Sequence, residues 1–383
     1  MGRLRAALAG ATALLLLAAP AQGELVFTPQ FTPLVPGLDR AHLRVPAVPC
    51  SIHILRLDRT NAELKLATSL AQGRVQGLAT VADQARAARV PGLVPLAAIN
   101  GGYFDMNASP YQGDPATLLI VEGELVSTPA NTSFWMDGAQ RMHLGVIFSQ
   151  LEVTWPDGSR TPLRLNEPPD TNTVVLFTPI FGPTLPPTAG TALRLERAGS
   201  ARWLPLRANR QYTARVQAIA YAGALPLEPD TGLLIVGPQV KLPAAAAQPG
   251  ALLKISTTLT ADLASARCGI GGGPTLLCGG QPNDWLLKPH PGEKAPDRQP
   301  RSAIGFNDRY FFMVVVDGRQ RASAGLTYAE LLELMRQLGC TDALNLDGGG
   351  SSTLWVQGQV VNSPSGLRLR PTADALVIRR RDR

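Results

Sequence analysis

The sequence predicts a mixed α/β fold of the α+β kind, strand-rich, with mainly antiparallel sheets and a few helices. Three observations predict it. Glycine and proline supply 37 and 33 of the 383 residues, which favours many turns and short strands over a helical bundle. Only two segments show a helical period, at about 77–90 and 327–338. Strands and helices do not alternate regularly, which argues against a doubly wound sheet or a TIM barrel. The length suits roughly two domains or one large one. The apolar fraction of 45% is that of an ordinary globular chain.

The elements follow in chain order. Residues 24–50 are extended and broken by prolines. From Cys50 to Thr68 apolar residues alternate through Ile52, Ile54, Leu55, Leu57, Leu64 and Leu66, predicting two strands around a turn at Asp58–Asn61. Leu78, Val81, Ala82, Ala85 and Ala88 recur at helical spacing, and Pro91-Gly92 stops that helix. Leu93 to Ile99 reads as a buried strand running into Asn100-Gly101-Gly102. Residues 117–255 read as strands punctuated by Glu122-Gly123, Asp137-Gly138 and Asp157-Gly158 turns. Residues 281–300 are polar and proline-rich, an expected exposed loop. Thr327 and Glu330 form a capping box ahead of Leu331, Leu334, Met335 and Leu338, with Gly339 as the stop. A strand at 343–346 then meets Asp347-Gly348-Gly349-Gly350-Ser351-Ser352, and another follows at 353–356. No internal repeat is visible.

Charge and export set the compartment. The net charge is +7, and arginine carries nearly all of it, because lysine occurs only at 65, 241, 254, 288 and 294. Arginine is the better fork for phosphate or carboxylate. No basic run sits among aromatics, so a nucleic-acid reader is not expected. The Arg379–Arg383 cluster reads as a frayed, solvated terminus. Arg3 and Arg5 precede an apolar run from Ala6 to Ala19 and small residues at Ala19-Pro20-Ala21 and Ala21-Gln22-Gly23. That is a secretory signal peptide over 1–23. The run is short of the roughly 20 residues of a membrane span, so the mature chain is expected to have no stable span and to be secreted or periplasmic. Export permits disulfides among Cys50, Cys268, Cys278 and Cys340. A Cys268–Cys278 bridge would close a short loop worth roughly 3 kcal/mol; free buried thiols are the alternative.

Three glycine-rich corners flank apolar strands: Asn100-Gly101-Gly102-Tyr103-Phe104-Asp105, Gly269 to Pro274, and Asp347 to Ser352. Successive glycines let backbone N–H groups converge on an anion and let a ligand approach the main chain. None fits a nucleotide-binding pattern, and there is no G-x-x-x-x-G-K-[ST], G-x-S-x-G or H-E-x-x-H. With only His42, His53, His143 and His290 present, histidine chemistry is disfavoured. Carboxylates and arginines remain: Asp105, Asp114, Asp317, Asp347 and Arg301.

Taken together, Ala98 to Asp105, Gly271-Gly272-Gly273-Pro274, Arg301-Ser302-Ala303-Ile304-Gly305, Val316-Asp317-Gly318-Arg319, Ala343 to Ser352 and Val361-Asn362-Ser363-Pro364 resemble the phosphodiester glycosidase family. The resemblance covers about 95–380 and implies a catalytic domain over 95–383, with 24–94 packed on it. It implies hydrolysis of the sugar–phosphate bond of a sugar-1-phosphodiester, of the alpha-N-acetylglucosamine type. The leaving phosphate monoester has a second pKa of about 6, so strong general-acid help matters less than a cationic clamp and a carboxylate at the anomeric centre. On that reading Asp347, Asp105 and Arg301 are catalytic. Arg301 and the Gly348-Gly349-Gly350-Ser351 nest hold phosphate. Asn100, Gly101, Gly102, Gly272, Gly273 and Asp317 line the substrate, with Asn100 orienting sugar hydroxyls. No cofactor is required, although two neighbouring acids would allow a divalent cation. The composition reads as bacterial, so the expected substrate is a sugar phosphate or anionic glycopolymer of the cell envelope. The competing readings are a non-catalytic envelope module binding such polymers, or another polysaccharide or phosphoester hydrolase.

Overall fold

The computed structural model describes residues 25–45, 48–107, 109–129, 131–221, 223–288 and 297–382. The leader expected at 1–23 and His290 lie outside the described residues. The chain is 43% strand and 9% helix, and its sheets are mostly antiparallel, as the turn-rich composition predicts. Among the described residues one ladder is parallel, Arg164–Leu165 against Val174–Phe177.

The first sheet has eight strands in the order Thr32–Val35, Leu38–Val45, Cys50–Asp58, Tyr310–Val316, Arg301–Phe306, Asp342–Asn345, Thr275–Cys278 and Gln281–Pro282. The Tyr310–Val316 strand shows why it sits centrally. Phe311, Met313 and Val315 enter one core and Phe312, Val314 and Val316 the other, the two-residue period of a strand covered on both faces. The helix Tyr328–Gln337 covers the second face with Leu331, Leu332, Leu334 and Met335. Its Thr327–Glu330 capping box is formed in both directions, and Gly339 takes φ +77° just beyond its end.

Two five-stranded sheets close the other core. One orders Gln359–Val360, Leu354–Val356, Leu93–Asn100, Asp374–Arg381 and Leu64–Leu70; the other orders Glu124–Ser127, Leu119–Val121, Cys268–Gly271, Thr132–Met136 and Met142–Val146. Leu55, Met313 and Leu344 from the first sheet meet Ile99 and Leu376 from one of these and Phe134 and Ile270 from the other. A second eight-stranded sheet, drawn from residues 152–256, surrounds a separate core containing Trp155, Trp203 and Leu253. Residues 25–94 do not form a separate layer. Cys50–Asp58 pairs with Tyr310–Val316, and Leu64–Leu70 pairs with Asp374–Arg381.

Several local expectations change. The first helix spans Val81–Ala87 only, because Thr80 caps it and Ala79 is held in a bridge to Thr372. Residues 281–288 contain a strand pair and a short helix, Asp284–Leu287. The basic tail is not frayed: Asp374–Arg381 is a paired strand, and buried Arg379 forms an ion pair with Glu122. All four cysteines are free, with Cys278 exposed and the others buried. Cys268 and Cys278 sit in different sheets, Cys268 opposite Val121 and Met136 and Cys278 opposite Gln281. The Cys268–Cys278 bridge is therefore absent. Among the described residues no helix is long and apolar enough to cross a membrane.

Candidate active site

Antiparallel pairing brings the separated motifs to one place. Asn100 ends its strand opposite Ala375, and Asn345 ends its strand opposite Ala303. Asn100 is fully buried. Its Nδ2 donates to Asp347 O at 2.7 Å, and its Oδ1 accepts from Ser302 Oγ at 2.7 Å and Thr353 N at 3.2 Å. Both ends of the amide are thus engaged with protein, and Asn100 fixes the backbone of Asp347 rather than presenting a group to a sugar. Asn345 ties the facing corner through its Nδ2 alone, its buried Oδ1 having no hydrogen-bond partner. Its Nδ2 donates to Gly273 O and Leu346 O, each at 2.7 Å, and to Tyr103 Oη at 3.2 Å. The Tyr103 hydroxyl in turn donates to Gly273 O at 2.6 Å. Burial, Tyr328 and Asp347 raise its pKa above the ordinary phenol value, and Arg301 opposes them, so it is a neutral hydroxyl.

Arg301 is 8% exposed. Its Nε donates to Leu326 O at 3.0 Å, its Nη2 to Asp297 O at 3.3 Å, and its Cζ lies 3.7 Å from the centre of the Tyr328 ring. Among the described residues no carboxylate forms an ion pair with it. Burial pulls its pKa below the ordinary arginine value, opposed by the Tyr328 hydroxyl, Tyr103 and the Asp297 carboxylate, and it remains charged. Tyr103 lies within electrostatic reach of Tyr328, Asp347 and Arg301.

The Gly348–Ser351 segment differs from the expected nest. It folds into a 3-10 turn, Gly349–Ser351, with Gly349 at φ +62°. The Gly349 N–H goes to Pro300 O, that of Ser351 to Gly348 O, and that of Ser352 to Gly349 O. The Gly348 N–H and the Ser351 side chain go to the Asp347 carboxylate. The N–H groups of Gly349, Ser351 and Ser352 are therefore taken up within the protein. Arginine side chains stand against the turn. A Cβ on Gly350 would meet the Arg370 guanidinium at 2.6–2.9 Å, and one on Gly349 would lie 3.2 Å from Arg319 Nη1. Burial raises the pKa of Asp347, countered by its bond from Ser351, by Arg370 and by the Gly348 N–H.

The acid beside Asp347 is Asp374, not Asp105. Asp374 is 2% exposed, and its Oδ1 accepts from Gly102 N at 2.9 Å. It lies so close beneath the corner that a Cβ on Gly101 would run into its carboxylate. Burial, with Asp347 adding to it, pushes its pKa up to about 7 against the pull of the Gly102 N–H. Asp105 is on the loop that follows, where its Oδ1 caps Asn107 through N at 2.8 Å and Nδ2 at 2.7 Å. Its acidic neighbour is Asp114, whose pKa burial pushes up to about 8, with Glu167 and Asp105 adding to the rise. Gly272 packs against Asn345 O, and the Gly273 N–H donates to the same oxygen at 2.8 Å. These glycines allow close packing of the corners against one another.

Asp317 is 4% exposed, and its carboxylate is engaged within the protein. Its Oδ1 accepts from Asn362 Nδ2 at 3.0 Å and Ser363 N at 2.8 Å, and its Oδ2 lies 3.3 Å from His53 Nε2. It anchors the 362–363 turn, whose Asn362 also holds Ser352 O and Leu354 N. Ser51 Oγ is 3.4 Å from the same Nε2 of His53. A serine–histidine–aspartate relay needs opposite ring nitrogens, so this cluster is structural. Among the described residues no group of three or more His, Cys, Asp or Glu is placed to hold a metal ion.

Residues 225–379 match the family model of the phosphodiester glycosidases. The resemblance carried by the motifs is thereby shown. The curated relative is the SPbeta prophage-derived uncharacterized protein YomE of Bacillus subtilis (strain 168), 39% identical over 82 residues, which are 21% of this chain and 13% of that protein. Among solved structures, a hypothetical protein from Synechocystis superposes with a TM-score of 0.72 at 19% identity, covering 93% of this chain and 64% of that one. A protein of Burkholderia pseudomallei K96243 described as exported gives 0.66 at 24% identity, over 86% and 74%. The chain spans about an eighth of the curated relative and just under two thirds of the Synechocystis protein. The structural likenesses bear on the fold alone. Sequence reasoning missed Asp374, Arg370, Tyr103, Tyr328 and Asn345. Tyr103 and Asn345 lay inside recognised motifs; Asp374 was signalled only by an acid inside the apolar run Ala373–Val377.

Proposed function

We propose that the protein is an exported hydrolase that cleaves the sugar–phosphate bond of a sugar-1-phosphodiester, with an envelope glycopolymer as the natural source of that bond. The observation that carries this reading is the buried Arg301, which forms no ion pair among the described residues and, like Asp347, lies within electrostatic reach of the Tyr103 phenol. Arg301, Arg319 and Arg370 hold the phosphate. They stabilise the dianion as the glycosidic bond breaks, so the leaving oxygen needs little protonation. Asp347, held by the Gly348 N–H and Ser351, serves the anomeric carbon as nucleophile or activates the water as base. Asn100 acts through Asp347 by fixing its backbone. Asp374 carries the proton of the acid pair near neutral pH, so that two adjacent carboxylates are not both charged.

A substrate panel tests the reading. Purified protein is given an alpha-N-acetylglucosamine-1-phosphodiester, a phosphomonoester and a plain glycoside. Free sugar released from the first alone supports it. Inorganic phosphate released from the second points to a phosphoester hydrolase. No product from any, with salt-sensitive binding of an anionic glycopolymer, points to a binding module.

A further inference from the structure

A cleft lies between two segments whose backbone leads to Asp374 and to Asp105. It has a volume of about 330 Å³ and is lined by Gln72, Arg74, Gln76, Gly77, Leu78, Ser109, Pro110 and Gln112. Its position follows from the backbone. Ala79 is bridged to Thr372, two residues before Asp374. On the other wall the Gly113 N–H donates to Asp105 O, and Gly113 packs against the carbonyls of Val75 and Gly77. One wall therefore continues into the strand of Asp374 and the other into the loop that leaves Gly101-Gly102.

The lining chemistry is specific. Three carboxamides, a hydroxyl and a guanidinium face the space, and no carboxylate does. Some of these groups hold the walls in place. Gln72 Nε2 donates to Leu78 O at 3.0 Å, Gln76 Nε2 to Pro110 O at 2.7 Å, and Gln112 Nε2 to Met106 O at 3.1 Å. The Gln76 carboxamide oxygen packs against Gly182, and that of Gln112 is an acceptor. Arg74 bonds Gln72 Oε1 at 2.7 Å through Nη2, while its buried Nε has no partner. Gln72 is held at φ +55° beside Gly73 at +67°, a conformation that costs a non-glycine residue energy and clusters at ligand sites. Paired acceptors and donors with little apolar wall suit neighbouring hydroxyl groups, not a lipid or an aromatic ring. The volume is at the small end of the roughly 300–1,000 Å³ of ligand pockets, the scale of one sugar or polyol.

We infer that this cleft is a subsite for the alcohol side of the substrate, taking a hydroxyl-rich group, a sugar or polyol, esterified to the phosphate that the three arginines hold. The inference rests on the proposed reaction, and it deepens it by naming what lies beyond the scissile bond. The phosphate would join the two sites, with the cleaved sugar on one side and the polyol on the other.

Two substrates with the same sugar-1-phosphate test it, one a methyl ester and one a glucosyl or glycerol ester. The expected wild-type preference in kcat/KM is for the extended ester. Gln112→Ala and Arg74→Ala, measured separately, should each lower the extended-to-methyl ratio by about tenfold, the worth of one to two net hydrogen bonds. An unchanged ratio in both variants would overturn the subsite. A saturation-transfer NMR measurement with glucosyl phosphate separates failures. Signal lost in both variants without turnover of either ester sustains the subsite and sinks the reaction. Signal equal in all three proteins sinks the subsite, whatever the turnover.

Discussion

Asp374→Asn is the most informative single change, because its effect can be worked from the structure. The asparagine Oδ1 keeps the bond from Gly102 N, and its size matches the space under Gly101. What it removes is a proton. In the folded protein Asp374 titrates at about 7, against 3.8 for the free side chain. Between those values the folded state holds a proton that the unfolded state has released. Stability from this group is therefore fully present below pH 3.8 and is lost as pH rises through about 7. At 1.36 kcal/mol per pH unit the loss reaches about 4 kcal/mol. The variant cannot titrate there, so relative to wild type it should gain up to about 4 kcal/mol between pH 4 and pH 8. Denaturant melts of both proteins across that range measure the difference. Other acids with raised values, Asp114 at about 8 and Glu124 at about 7, are common to both and cancel. A flat difference, or a variant that loses ground as pH rises, would refute the assignment of a buried proton to Asp374.

Three further outcomes follow from the same geometry. Asp347→Asn should lower turnover of a sugar-1-phosphodiester by at least about 100-fold while circular dichroism and melting temperature stay near wild type; near-normal rates would remove Asp347 from the chemistry. Gly101→Ala should destabilise by about 1–3 kcal/mol, read by denaturant melts, because its methyl would occupy the space of the Asp374 carboxylate; it should be relieved in the Gly101→Ala, Asp374→Gly double variant. Native protein should show one fast-reacting thiol among the described residues, Cys278, whereas Cys50, Cys268 and Cys340 react only on unfolding; an unchanged melting temperature under reductant would confirm that no disulfide contributes.

What was legible in the sequence was local. The capping box at Thr327 and Glu330, the glycine turn at Glu122-Gly123 and the alternation through Cys50–Asp58 each depend on neighbours a few residues apart, and each formed. What was not legible depended on pairing across the chain. Asp105 follows the glycines of its corner and Asp347 precedes those of its own, and either could be read as the nucleophile or base. The acid that reaches Asp347 comes instead from position 374, because Ala375 lies opposite Asn100. The Gly348–Ser351 turn is likewise shaped from across the chain. Its glycines do turn the chain, but Pro300 O, from a distant segment, takes the Gly349 N–H. The basic tail, which composition assigned to solvent, is a central strand because Leu64–Leu70 and Leu93–Asn100 flank it.

This division bears on where substrate choice resides. The inner corners have no room for variation: a Cβ at Gly101 meets Asp374, one at Gly102 meets Gly271 O at 2.6 Å, and one at Gly350 meets Arg370. A side chain added there must displace the Asp374 carboxylate, the Gly271 carbonyl or the Arg370 guanidinium, so on the proposed reaction these corners serve the phosphate and the bond that breaks. They cannot distinguish one alcohol from another. Discrimination must fall to walls that can change without moving those corners, and the 72–78 and 109–112 segments meet that condition. They connect to the acid-bearing segments through the Ala79–Thr372 bridge, the bond from Ala71 N to Ala373 O and the Gly113–Asp105 bond. Substitutions on them should therefore alter which phosphodiester is preferred, while substitutions at the glycine corners should alter whether the site forms at all.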